Sequence, residues 1–220
     1  MIIEFIGLPG SGKSFYSNRL KILIEKESTS CDIYTRDTVD YSVLKLLDYA
    51  SFFWRTRYFS LVIMLALIFN IRYDIKKTYT LFLGVKETFK LYTYIYKNNK
   101  NSIYILDEGI NQRLISIFFF NNFFFNKGLF KVSLKLLNNK SLPDYLVYID
   151  RDIEQSLKQA KKRLNGLPYR FRNFKNSKLH TVFYNQISGF DMLLQQDKVN
   201  TIKLSDIKLS DIKLFLKKIR

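Results

Sequence analysis

The stretch that decides the fold is Ile2-Ile3-Glu4-Phe5-Ile6-Gly7-Leu8-Pro9-Gly10-Ser11-Gly12-Lys13-Ser14. Residues 2–6 are an apolar run of strand length, and residues 13–26 carry helical spacing. Between them stands a complete GxxxxGK[ST]. The glycines let the chain turn so that successive backbone N–H groups converge on one point, and the N-terminus of the following helix adds partial positive charge there. A strand, this loop and a helix in that order form a phosphate-binding loop. Gly7, Pro9, Gly10, Ser11 and Gly12 supply the cradle. Lys13 is spaced to reach the β- and γ-phosphates of a nucleotide, and Ser14 to offer a hydroxyl to Mg²⁺. ATP and Mg²⁺ are the cofactors such a loop calls for.

Outward from this stretch the chain alternates short apolar runs with helical ones. Strands are predicted at 2–6, 31–35, 102–106, 145–149 and 199–204. Helices are predicted at 13–26, 39–50, 54–70, 73–98, 110–120, 129–138, 152–164, 177–195 and 206–219. The alternation is that of an α/β domain, a parallel sheet covered on both faces. At 220 residues and 47% hydrophobic content the chain is read as a single domain, 1–220. Residues 37–101 interrupt the rhythm without a strand signal. They contain no Pro and only one glycine, Gly84, and so read as a helical insertion rather than a linker. The repeat IKLSD at 202–206 and 207–211 reads as the last strand passing into a terminal helix capped at Ser205 or Asp206.

A second candidate site element is Ser102-Ile103-Tyr104-Ile105-Leu106-Asp107-Glu108-Gly109, an apolar strand ending in two carboxylates. In a parallel sheet the carboxyl ends of the strands face the ligand crevice, which brings this pair toward the phosphate loop. Asp107 is the candidate Mg²⁺ residue and Glu108 a candidate general base. The other reading of Asp107 is a cap for the helix starting near Ile110.

Charge supplies a third element. The chain has 36 Lys+Arg against 19 Asp+Glu, a net +17. Alanine occurs only at positions 50, 66 and 160 while Lys, Asn, Ile, Phe and Tyr abound, a composition in which lysine accumulates on solvated faces without a partner. The positive charge does cluster between Lys158 and Lys178, where eight basic residues, Arg163 and Arg170 among them, stand with no acidic one. Gly166 and Pro168 break the helix there, so the segment about 158–176 reads as a basic flap able to close over transferring phosphates.

Other features narrow the classes. One cysteine, Cys31, and one histidine, His180, exclude an internal disulfide, a thiolate zinc site and most histidine metal clusters. The uncharged run between Arg57 and Arg72 is 14 residues long; as a helix it reaches about 21 Å against about 30 Å of hydrocarbon, and reads as a core helix rather than a membrane span. The Phe118–Phe125 cluster is broken by Asn121 and Asn122, a helix end. The N-terminus has no signal-peptide pattern, and a cytoplasmic location is expected.

GLPGSGKS, the strand-end Asp107, and Pro143-Asp-Tyr-Leu-Val-Tyr-Ile-Asp150 followed by Glu154-x-x-Leu157-x₅-Arg163 together resemble the P-loop nucleoside and nucleotide kinases, thymidylate and deoxynucleoside kinases included. The resemblance implies a three-layer α/β/α sandwich with a five-stranded parallel sheet in the order 2-3-1-4-5. It also implies an acceptor-covering helical insertion and a LID whose arginines touch the donor phosphates. Arg163 matches the LID arginine; the family's arginine four residues earlier is here Gln159, a place that Lys158, Lys162, Arg170 or Arg172 could fill. Thr35-Arg36-Asp37 is similar to the Thr-Arg-Glu of thymidylate kinases, which puts Arg36 and Asp37 on the acceptor side. In place of the family's acid-arginine pair this chain has Asp107-Glu108-Gly109, with its next arginine at Arg113. An LDEGxxQR-like strand end also resembles uncharacterised P-loop proteins encoded near bacterial surface-polysaccharide genes, for which a sugar or polyol acceptor is natural. Within the insertion, Trp54, Arg55, Arg57 and Tyr58 read either as core, the commoner place for aromatics, or as rings that stack on a flat acceptor beside cations that grip phosphate.

The leading function is therefore an ATP-dependent phosphotransferase with a small-molecule acceptor. Lys13 and the loop hold the donor, Ser14 and Asp107 the metal; Glu108 or Asp37 handles the proton, and Arg163 meets developing charge. An ATPase in which Glu108 activates water is the second reading. A basic nucleic-acid or membrane-surface binder is the third, although no nucleic-acid-reading motif occurs. Homodimer formation and peripheral membrane contact stay open.

Overall fold

In the computed structural model the described residues are 1–27, 32–71, 75–98, 102–119, 123–136, 143–162, 167, 171, 174–195 and 200–205. Five strands, β1 (Ile2–Gly7), β2 (Asp32–Thr35), β3 (Ser102–Leu106), β4 (Tyr145–Asp150) and β5 (Asn200–Ser205), pair in parallel in the order β2-β3-β1-β4-β5. Glu4 stands opposite Leu106 of β3 and Leu146 of β4, so β1 runs through the middle of the sheet. The helices are α1 (Lys13–Glu27), α2 (Leu46–Arg55), α3 (Arg57–Ile71), α4 (Ile75–Asn98), α5 (Ile110–Phe118), α6 (Phe123–Leu136), α7 (Ile153–Lys161) and α8 (Asn176–Leu194).

Strand periodicity divides the core in two. Ile3, Phe5, Ile105, Val147 and Ile149 pack with Leu20 and Ile24 of α1 on one face. Ile2, Ile6, Tyr104, Leu106, Leu146 and Tyr148 point the other way, into a larger core shared with the remaining helices. Phe118, Phe119 and Phe130 close that core, with Phe119 edge-on to Phe130 at 4.9 Å. α5 ends at Phe118 and α6 begins at Phe123, on either side of Asn121 and Asn122.

Three expectations change. The helix read over 39–50 is instead a pair of 3₁₀ turns, Arg36–Thr38 and Tyr41–Val43, followed by α2 from Leu46. Short polar side chains take the backbone N–H groups that a helix would need: Asp40 accepts from Ser42 N at 2.9 Å and Asp48 from Lys45 N at 2.8 Å. The helix read over 129–138 starts six residues earlier, at Phe123. The uncharged run is a core helix on one face only. Val62, Ile63, Ala66 and Leu67 of α3 are buried, while Leu61, Met64, Leu65 and Ile68 stand out from the surface. Among the described residues no helix is long and apolar enough to cross a membrane. Ser205 ends β5; Cys31 and the terminal helix read over 206–219 lie outside the described residues.

Candidate active site

The carboxyl ends of β1, β2 and β3 lie side by side, and each delivers part of one site. β1 runs into the loop, where Gly10 and Gly12 take φ of 88° and 101°. A side chain at Gly10 would also meet the Ser156 carbonyl of α7, so glycine is required there twice over. Lys13 Nζ donates to the carbonyls of Gly7 at 2.8 Å and Leu8 at 3.0 Å, which lays its ammonium across the loop. Ser11 Oγ, inside the loop, is buried with no hydrogen-bond partner in the protein. An orphan hydroxyl beside a lysine and a glycine cradle fits a phosphate ligand.

β3 ends in the paired acids. Ser14 Oγ donates to Asp107 Oδ2 at 2.6 Å, which joins the loop helix to the β3 terminus. A hydroxyl and a carboxylate in contact are hard oxygen donors of the kind Mg²⁺ takes, with phosphate and water oxygens completing its shell. No cluster of three His, Cys, Asp or Glu occurs among the described residues, and such a shared site needs none. Gly109, not Asp107, occupies the cap position of α5.

Glu108 is held from two directions. Arg36, in the first residue after β2, approaches Glu108 Oε2 at 3.2 Å, and Arg113 of α5 reaches the same oxygen at 2.6 Å. Arg113 is the more enclosed of the two, its side chain 15% exposed against 38% for Arg36. It lies where a side chain at Gly84 of α4 would stand, and its Nε is buried without a partner. Asp37, the neighbour of Arg36, is exposed. Trp54 and Arg57 sit at the corner between α2 and α3, the guanidinium 4.9 Å over the exposed indole ring. The side chains of Arg55 and Tyr58 fall outside the described residues, as do Arg163, Arg170 and Arg172. Lys158, Lys161 and Lys162, where α7 ends, are exposed.

Comparison with solved structures returns deoxyadenosine kinase from M. mycoides. With dCTP bound it aligns at TM-score 0.51 and 17% identity, over 100% of this chain and 98% of that one. Bound to the products dCMP and a flexible dCDP it aligns at TM-score 0.50 and 16% identity over the same shares. The fold is that of the deoxynucleoside kinases. No protein-family model matches the chain, and no curated protein matches it in sequence. The strand order β2-β3-β1-β4-β5 is thus a deoxynucleoside-kinase architecture carried by a divergent sequence.

Several residues of this site escaped the sequence reading. Glu4 is fully buried in β1, and its carboxylate accepts from Gln112 N at 2.9 Å and from Asn111 Nδ2 at 2.9 Å, with Asn111 N at 3.4 Å. Gln112 in turn accepts from Gly7 N at 3.0 Å. Burial drives the Glu4 pKa up to about 7, against the pull of these donors. Burial and the Glu4 carboxylate together push the Tyr92 phenol well above its ordinary value. Arg151, just past β4, lies beside Gly12 of the loop. The available signal for Glu4 was one charge in the otherwise apolar strand IIEFIG.

Proposed function

We propose that this chain is a Mg²⁺-dependent kinase that transfers the γ-phosphate of ATP to a hydroxyl or phosphate oxygen of a small-molecule acceptor, nucleoside-like, nucleotide-like, or a sugar or polyol. The observation that carries the reading is the contact of Ser14 with Asp107, which joins the phosphate loop to an acid-ended strand beside an arginine-held glutamate. The M. mycoides kinase of the same fold is seen with dCTP and with dCMP, which favours testing nucleosides and nucleotides first.

In this reading Lys13, the loop amides and Ser11 hold the donor phosphates, and Ser14 and Asp107 hold the metal. Mg²⁺ held by Ser14 and Asp107 would supply charge neutralisation to the transferring phosphates. The acceptor oxygen bonds to the γ-phosphorus as the bond to the β-phosphate oxygen breaks, and the acceptor proton passes to Glu108 or Asp37. Arg36 and Arg113, drawn together on Glu108, face the acceptor. Arg163 and Arg170 would meet the transferring group from the flap. Catalysis of this kind is positioning and electrostatics rather than covalent chemistry.

The test is ADP release across a panel of nucleosides, nucleotides, sugars and polyols, with Lys13→Ala as the blank. Acceptor-dependent release that the blank lacks is the expected result. Phosphate release without any acceptor would assign the site to hydrolysis instead, and equal activity in the blank would remove the loop from the chemistry.

A further inference from the structure

We propose that Glu4 is a positioning residue that fixes the phosphate loop against the Asp107-Glu108 pair, an inference that rests on the kinase reading for its effect on rate. Glu4 lies three residues before Gly7 and is 0% exposed. Its two oxygens receive the first N–H groups of α5, a nine-residue helix, at Asn111 and Gln112. Those N–H groups have no partner within the helix, and the positive end of its dipole favours a carboxylate there. Gln112 sends its side-chain carbonyl back to the first amide of the loop, at Gly7. The path from β1 through Glu4 to α5, and through Gln112 to the loop, is therefore a closed ring.

The ring contains the site. α5 begins directly after Gly109, and a side chain at 109 would strike the Glu4 carboxylate. Asp107 and Glu108 stand immediately before that glycine and Arg113 immediately after Gln112. The distance from Lys13 to the acids is thus set through Glu4 and Gln112, in addition to strand pairing. An apolar residue here would avoid the desolvation cost of a carboxylate but would strand the Asn111 and Gln112 N–H groups, so Glu4 caps α5 as well as spanning the ring.

Glu4→Gln keeps the shape but turns an amide NH₂ toward backbone donors. The expected result is a fall of about 10- to 100-fold in kcat, KM for ATP within about threefold, and a chain that still folds, with its melting temperature lowered because buried donors lose their acceptor. Gln112→Met, which leaves Glu4 in place and removes the acceptor for Gly7 N–H, should give the same split; it serves if Glu4→Gln does not fold. Hydrogen exchange provides a readout that needs no activity: each variant should speed exchange in residues 7–14 and 107–113 together. An unchanged kcat with a lowered melting temperature would make Glu4 merely structural, and unchanged exchange in both segments would overturn the ring. If the wild type transfers phosphate to no acceptor the kinase reading fails, and exchange still decides the ring.

Discussion

The proposed donor side and the proposed acceptor side of this molecule are built differently. The donor side is one continuous segment, 7–14, in which backbone amides, glycines and a single lysine would do the binding. The acceptor side takes Arg36 from the end of β2, Glu108 from the end of β3, Arg113 from α5, and Gly84 from α4 to make room for it. A local loop tolerates little change and is recognisable anywhere; a site assembled from four elements can change its charges while the fold stays the same. This contrast fits a chain that carries the deoxynucleoside-kinase fold at only 17% identity.

If the donor side depends on few atoms, its substitutions should have the largest effects. Lys13→Ala is expected to lower kcat/KM by about 10³-fold, measured as acceptor-dependent ADP release. Asp107→Asn should follow at about 10²-fold, with a raised Mg²⁺ requirement, if Ser14 and Asp107 share the ion as proposed. A smaller loss for Lys13→Ala than for Arg113→Ala would reverse the comparison.

The two acceptor-side arginines differ enough to sharpen it. Arg113, at 2.6 Å and 15% exposed, should cost about 1–3 kcal/mol of stability when changed to Ala, because Glu108 then loses its shorter bond. Arg36, at 3.2 Å and 38% exposed, should cost under about 1 kcal/mol. Urea denaturation of both variants measures the difference. Equal costs would mean that Arg36 is held by more than the Glu108 contact.

The same contrast explains what could be read from residues alone. The five strands, their parallel sense and the loop were legible because apolar runs, glycine spacing and strand-end acids are local signals. The Ser14 to Asp107 contact followed from topology, since parallel strands bring their carboxyl ends together. The Arg36, Glu108 and Arg113 group was visible only as separate residues; nothing in the spacing shows that two arginines 77 positions apart meet on one oxygen. The failure at 39–50 has a local cause, Asp40 and Asp48 taking backbone N–H groups from a helix. Glu4 was overlooked because a charge within a strand has no motif, and its partners, Asn111 and Gln112, lie over 100 residues away.

Glu4 also provides the smallest expected effect. Its pKa rises from 4.5 to about 7 on folding, with burial as the main cause. The folded chain therefore holds this proton more tightly than the unfolded chain. The sign follows: the contribution is fully present below about pH 4.5 and is lost as pH climbs through 7. The rise corresponds to about 3 kcal/mol at most. Tyr92, the titratable group against it, stays neutral throughout this range because its own pKa is pushed upward. Glu4→Gln carries no such proton, so the variant should gain stability relative to wild type as pH goes from 5 to 8. Paired melting curves at the two pH values measure this as a change of a few degrees in the melting-temperature difference. A difference that does not move with pH would mean that the α5 amides hold the carboxylate ionised throughout. In that case the ring joining the donor loop to the acids would be rigid over the whole range instead of loosening below neutrality.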